Sequence, residues 1–117
     1  MMQSIKPDFV YADERGKLVQ LCKSGYGQVN VLYCKANSVR GMHYHKINEE
    51  AFFVVSGSVV INVTCNENTG EMKHVSGDFF SIKPLVRHSL YFPEDTVLVA
   101  LYSQCIELSP GVKDIYV

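Results

Sequence analysis

The sequence predicts an all-β protein folded as a closed or two-sheet barrel, and three observations point there. Short runs rich in Val, Ile, Tyr and Phe recur along the chain, separated by Gly, Asn, Pro and Asp. No segment keeps apolar residues at helical spacing through several turns. The run Val54-Val55-Ser56-Gly57-Ser58-Val59-Val60-Ile61 would be an adhesive edge if left open, so it calls for neighbours on both sides. A length of 117 residues suits a single domain, 1–117, and is enough to bury a core.

Along the chain, strands are expected at 17–23, 28–34, 38–45, 50–55, 57–64, 72–76, 78–82, 87–92 and 96–104. The connections have their own chemistry. Asp13-Glu14-Arg15-Gly16 and Ser24-Gly25-Tyr26-Gly27 supply permissive backbones, Asn66-Glu67-Asn68-Thr69-Gly70 reads as a hairpin loop, and Phe92-Pro93-Glu94-Asp95 reads as another. Gly57, between two apolar runs, suits a tight corner. Any helix should be short and close to the C-terminus, and no repeat or low-complexity segment interrupts the pattern.

Composition narrows the function classes. A net charge of -1 with no basic block gives no electrostatic reason to bind a nucleic acid polymer. The opening Met1-Met2-Gln3-Ser4-Ile5-Lys6-Pro7 lacks the apolar core of a signal peptide, and no later apolar run is long enough to span a bilayer. Cys22, Cys34, Cys65 and Cys105 form no C-x-x-C pair and lie mostly in apolar runs, so buried free thiols and a reducing cytoplasm are expected.

The densest chemistry lies in Arg40-Gly41-Met42-His43-Tyr44-His45-Lys46, followed by Glu50 and, much later, His88. Alternate residues of a strand share a face, so His43 and His45 should project together while Tyr44 faces away. Glu50 has the parity of Phe52 and Val54 and can enter the same interior from the next strand. His88 would close the site from a distant strand. Three imidazoles and a carboxylate form a donor set for a divalent transition metal such as Zn, Fe, Mn, Ni or Cu. The plainer alternative is chance proximity of two histidines, with Glu50 solvated. His74, after Lys73, reads as a surface residue.

The spacing His43-x-His45, four residues, Glu50, six residues, Gly57, then Gly77, Pro84 and His88, resembles the two motifs of the cupin superfamily. The resemblance implies a double-stranded β-helix, the jelly-roll cupin barrel, and covers about half of the chain directly. The second motif departs from the pattern: no glycine follows Pro84, and no Asn stands four residues after His88. Asp13-Glu14-Arg15-Gly16-Lys17-Leu18 and Val39 to Lys46 are similar to cupins acting on deoxysugar nucleotides. These are the 4-keto-hexose 3,4-ketoisomerases, the 3,5-epimerases and the cupin domain at the end of some capsule-sugar reductases. Val97-Leu98-Val99-Ala100-Leu101-Tyr102-Ser103 is similar to the late core strand of the ketoisomerases.

That narrower resemblance implies a sugar-nucleotide isomerase or epimerase acting on a 4-keto-6-deoxyhexose intermediate of surface polysaccharide biosynthesis. His43 is then the base and His45 a shuttle or second acid, with Tyr33 and Tyr91 as candidate acids on neighbouring strands. Arg40 and Lys46 flank the pair and can hold a sugar-nucleotide diphosphate. The reductase-like cupins imply instead that His43, His45, Glu50 and His88 hold a metal, which leaves His43 no free nitrogen to act as a base. Two other classes stay open: a metal-dependent oxygenase with an apolar cavity around Phe52, Phe79 and Phe80, and a non-catalytic small-molecule-binding module. A homodimer is expected, because small barrels of this family pair through their sheets.

Overall fold

The computed structural model describes all 117 residues, Met1–Val117, and contains strands but no helix. The elements are β1 (Met2–Ser4), β2 (Phe9–Asp13), β3 (Gly16–Gln20), β4 (Gln28–Cys34), β5 (Val39–His43), β6 (Glu50–Ser56) and β7 (Ser58–Cys65). They continue with β8 (Asn68–Val75), β9 (Phe79–Ile82), β10 (Arg87–Tyr91), β11 (Thr96–Tyr102), β12 (Glu107–Ser109) and β13 (Val112–Lys113). One sheet runs β1-β9-β6-β11-β4 and the other β5-β10-β7-β8, with every pairing antiparallel. Sequence neighbours β6 and β7 thus sit in different sheets. This is the two-sheet jelly-roll expected of a cupin.

Gly57 is the corner between the sheets. Its φ is +86°, and a Cβ there would collide with the Asp95 carbonyl and the Thr96 hydroxyl. Only glycine meets both requirements at once. Beside it the Thr96 hydroxyl donates to the Ser58 carbonyl at 2.9 Å and accepts the Ser58 amide at 3.1 Å, which pins β7 to β11.

The core lies between the sheets and follows strand parity. Phe52 and Val54 of β6, Val59, Ile61 and Val63 of β7, Leu90 of β10, and Leu98 and Ala100 of β11 point inward with Phe80 and Phe92. Continuing the same inward rows toward one end of the barrel brings Glu50 on β6 and His88 on β10. The site is therefore the polar end of the core. Outside the five-stranded sheet a smaller cluster of Ala51, Phe79 and Leu101 is covered by Ile5, Leu21, Cys22 and Tyr26 from the N-terminal segment.

Several expectations need correction. The C-terminal segment forms the β12–β13 hairpin rather than a helix, and β1 and β2 add strands that the sequence did not signal. The Asn66–Gly70 loop is shorter than expected, since Asn68 already begins β8 and pairs with Cys65. His74 is buried, not superficial: its ring stacks on Phe80 at 3.7 Å and its Nε2 has no hydrogen-bond partner. All four cysteines are free thiols, but only Cys34 is buried, and Cys105 is exposed.

Candidate active site

The Arg-Gly-x-His stretch acquires a physical reason in the pairing of β5 with β10. His88 is opposite His43 and Ser89 is opposite Gly41, so Met42 is an extra, bulged residue. Gly41 has φ +95° and Met42 φ +63°, and a Cβ at Gly41 would lie 2.9 Å from the His88 carbonyl oxygen. The bulge lets β5 approach the carbonyl of His88 and turns His43 toward that residue's ring.

Three imidazoles and one carboxylate meet there. The ring centroids of His43 lie 4.9 Å from both His45 and His88, and His45 and His88 are 5.5 Å apart. Ligand atoms of His43, His45, Glu50 and His88 all lie within 4.8 Å of one another. Glu50 Oε1 is 3.1 Å from His45 Nε2 and 3.2 Å from His88 Nε2. The far nitrogens are fixed by backbone: His45 Nδ1 donates to the Asp114 carbonyl at 2.6 Å and His88 Nδ1 to the Val86 carbonyl at 3.0 Å. Both Nε2 atoms are thereby turned on one carboxylate oxygen.

Carbonyls behind and a carboxylate in front is the arrangement that orients imidazoles for a metal. His88 Nε2 is buried 3.2 Å from Glu50 Oε1 but off the line of a well-formed hydrogen bond, and such an ion would satisfy it more fully. The three-nitrogen, one-oxygen donor set fits a divalent transition metal.

The charges divide the cluster. Burial drives the Glu50 carboxyl upward, but hydrogen bonds and positive charge from His45 and His88 outweigh it and hold the pKa down at about 2. Burial likewise pulls His45 down, yet Glu50 and the Asp114 carbonyl together raise it above its ordinary value. His43 takes the opposite course: burial first, then His88 and His45 as like charges, lower it to about 4. Near neutral pH its imidazole is uncharged and keeps one nitrogen lone pair.

A cavity of about 340 Å³ opens onto His43 and His45, lined also by Gln28, Asn30, Tyr102, Ile106, Glu107, Lys113 and Ile115. Tyr102 is the cross-strand partner of Glu50, and its ring stands edge-on to His45 at 6.0 Å. Burial and then the negative charge of Glu50 raise its pKa, so the phenol keeps its proton. Sequence reasoning missed Tyr102 and Lys113. The register of β11 on β6 and the C-terminal hairpin place them, and neither is a local signal.

The other sequence candidates are dispersed. Tyr33 is 76% exposed on the outer face of β4. Tyr91 has the parity opposite to His88 and donates from its hydroxyl to Asn37 Oδ1 at 2.9 Å, away from the cluster. Arg40 lines an adjoining groove of about 690 Å³ that shares Asn30 and Tyr102 with the cavity. The Lys46 ammonium rests 4.2 Å from the centre of the Tyr116 ring. Phe52 and Phe80 stack inside the core at 5.5 Å and Phe79 belongs to the outer cluster, so these rings do not line the cavity.

Solved structures with the same fold include a mutant of QdtA, a 3,4-ketoisomerase from Thermoanaerobacterium thermosaccharolyticum, in complex with TDP-4-keto-6-deoxyglucose. It is 20% identical with a TM-score of 0.77, over 92% of this chain and 82% of that one. The dTDP-4-dehydrorhamnose 3,5-epimerase of Sulfolobus tokodaii is 20% identical with a TM-score of 0.71, over 88% and 70% of the two chains. The capsular polysaccharide assembling protein CapF of Staphylococcus aureus is 26% identical with a TM-score of 0.67, over 92% of this chain but 31% of its own. These likenesses establish the cupin fold. No curated protein matches the sequence. Residues 11–104 match the family described as polysaccharide biosynthesis C-terminal domain, and the chain belongs to that family.

Proposed function

We propose that the chain is a sugar-nucleotide isomerase or epimerase that moves a proton next to the ketone of a 4-keto-6-deoxyhexose, in the synthesis of a surface polysaccharide. One observation carries this reading: an uncharged His43 stands at the wall of a cavity whose Tyr102 keeps its proton. A base and an acid of suitable state face one space large enough for a hexose ring. The printed functions of the ketoisomerase and epimerase neighbours, and the family's link to polysaccharide biosynthesis, support the substrate class.

In this reading His43 removes the proton from the carbon beside the ketone, and the electron pair passes into an enediolate. Tyr102 donates to the developing oxyanion. For ketoisomerisation His43 returns the proton to the former carbonyl carbon while the neighbouring hydroxyl passes its proton back to Tyr102. For epimerisation His45, as the second acid, delivers a proton to the opposite face of the same carbon and His43 gives its own to solvent. In this reading Arg40, which lines the adjoining groove, and Lys113, which lines the cavity, hold the diphosphate, with Lys46, whose ammonium rests on the Tyr116 ring, as a further candidate.

His43, His45, Glu50 and His88 would hold a divalent transition metal (Zn, Fe, Mn or Ni), which when bound supplies Lewis-acid polarisation of the ketone. A His43 engaged in that way cannot also be the base. Elemental analysis of the protein as purified, compared with His45→Ala, separates the two: one equivalent lost in the variant assigns His43 to the ion and removes it as the base.

The homodimer belongs to the same proposal. Val29, Val31 and Tyr33 form an exposed apolar stripe on β4, and Phe9, Val10, Tyr11 and Leu18 on the β2–β3 hairpin are half-exposed. Four unpaired cysteines support a cytoplasmic setting, and no helix is long and apolar enough to cross a membrane.

The test is product analysis. TDP-4-keto-6-deoxyglucose and its 5-epimer are incubated with the protein, and the sugar is examined by carbon NMR. Migration of the ketone to C3, or inversion at C3 or C5, is expected. An unchanged sugar across both substrates, with or without added divalent metal, overturns the reading.

A further inference from the structure

The C-terminal tail is tied to the histidine segment by an arrangement that the proton chemistry above does not use. Asp114 is fully buried, and its carboxylate accepts four N–H donors. These are the amides of Lys46 at 2.9 Å, Ile47 at 3.1 Å and Asn48 at 3.0 Å, together with Asn48 Nδ2 at 3.1 Å. Its own amide donates to the Ile106 carbonyl at 2.9 Å, and its carbonyl accepts His45 Nδ1 at 2.6 Å. Two residues on, Tyr116 exchanges both backbone hydrogen bonds with Tyr44, at 2.8 and 3.0 Å. One residue therefore grips the loop that follows His45 through its side chain and the ring of His45 through its backbone.

We infer that Asp114 is a positioning residue that sets the tautomer and aim of His45. A carbonyl oxygen has no proton to give, so the 2.6 Å contact requires the proton on His45 Nδ1. That leaves Nε2 as the atom presented to Glu50, whether it carries a proton, a lone pair or an ion. The carbonyl can do this only if it is held still. The carboxylate holds it by gathering three successive amides of the 46–48 loop, so the histidine, the loop and the tail form one closed unit. Without the clamp, either ring nitrogen can carry the proton, and a substantial fraction of the population presents the wrong atom.

The test uses the full chain labelled with ¹⁵N-histidine, with and without added Zn²⁺. The wild type should show His45 protonated at Nδ1 throughout, as the Nδ1–H tautomer with metal on Nε2 and as the doubly protonated ring beside Glu50 without it. Asp114→Ala should shift a substantial fraction to Nε2–H and lower kcat about tenfold or more, with a smaller change in KM. Phe92→Leu, a core change that also costs stability, should leave the tautomer as it is. Should Asp114→Ala not fold, Asp114→Asn keeps the shape but offers one acceptor oxygen where the loop uses two, and should show both tautomers. Retention of the pure Nδ1–H form in whichever variant folds overturns the inference. The kcat arm rests on the isomerase reading, whereas the NMR arm does not, so the two can fail separately.

Discussion

Burying a lone carboxylate costs several kcal/mol, and Glu50 offsets that cost with two imidazole nitrogens at 3.1 and 3.2 Å. The consequence is a divided cluster, with His45 drawn toward the charged state and His43 pushed out of it. Glu50→Gln should abolish that division, so His45 falls toward or below its ordinary pKa, and any metal affinity drops about 10- to 100-fold. Histidine NMR titration and metal titration check both. Tyr102→Phe keeps the ring against His45 and removes only the hydroxyl. It should lower turnover about 100-fold while moving the unfolding midpoint little. The clustering of His43, His45 and Glu50 was legible in the sequence through strand parity and local spacing, whereas His88, on a distant strand, was reached only through the resemblance to the second family motif. Tyr102 and Lys113 were not: Tyr102 reaches the cavity by pairing with Glu50, some fifty positions away, and the short hairpin that carries Lys113 is held there by the bonds of Asp114 and Tyr116 to residues 44–48.

The turns that shape the barrel depend on backbone as much as on side chains. Gly57→Ala puts a Cβ into the Asp95 carbonyl and Thr96 hydroxyl at a positive φ, and should destabilise the fold by about 1–3 kcal/mol in urea titration. The central strands were readable from their Val, Ile and Phe runs: β4 falls on the expected span, and β6, β7 and β9 start or end within a residue of it. The misreadings lie at the periphery. β1, β12 and β13 are two or three residues long, and so short a segment shows no periodicity. His74 was misjudged because its local neighbours are polar. Its cross-strand partner Val59 places it on an inward row, and burial follows from that register.

For the folded molecule as a whole, His43 and His74 both have pKa values pushed below 6.5, by burial first in each case. A group that binds its proton more weakly when folded makes stability fall as pH drops below the unfolded value. From these two groups stability should decline as pH falls from 6.5 toward about 4, the region set by His43, whereas His45, with its pKa raised, contributes stability at lower pH that is lost as pH rises through that raised value. Glu50 works in the same sense at lower pH: its depressed pKa contributes stability that is full above about 4.5 and is lost as pH falls to about 2. His74→Phe, which preserves the stack on Phe80, should flatten the first decline in denaturation curves followed across pH. Association is expected at micromolar concentration, and Val31→Lys on the outer stripe should yield monomers in sedimentation; a monomeric wild type removes the dimer.

The proton chemistry at His43 and Tyr102 is read most directly by deuterium incorporation. TDP-4-keto-6-deoxyglucose is incubated with the protein in deuterium oxide, and the ring protons next to the ketone are followed by NMR. The site described here should exchange at least one of the C3 and C5 protons, with the rate falling about 100-fold or more in His43→Asn. Exchange that persists in His43→Asn assigns the base elsewhere, and no exchange in the wild type contradicts the account.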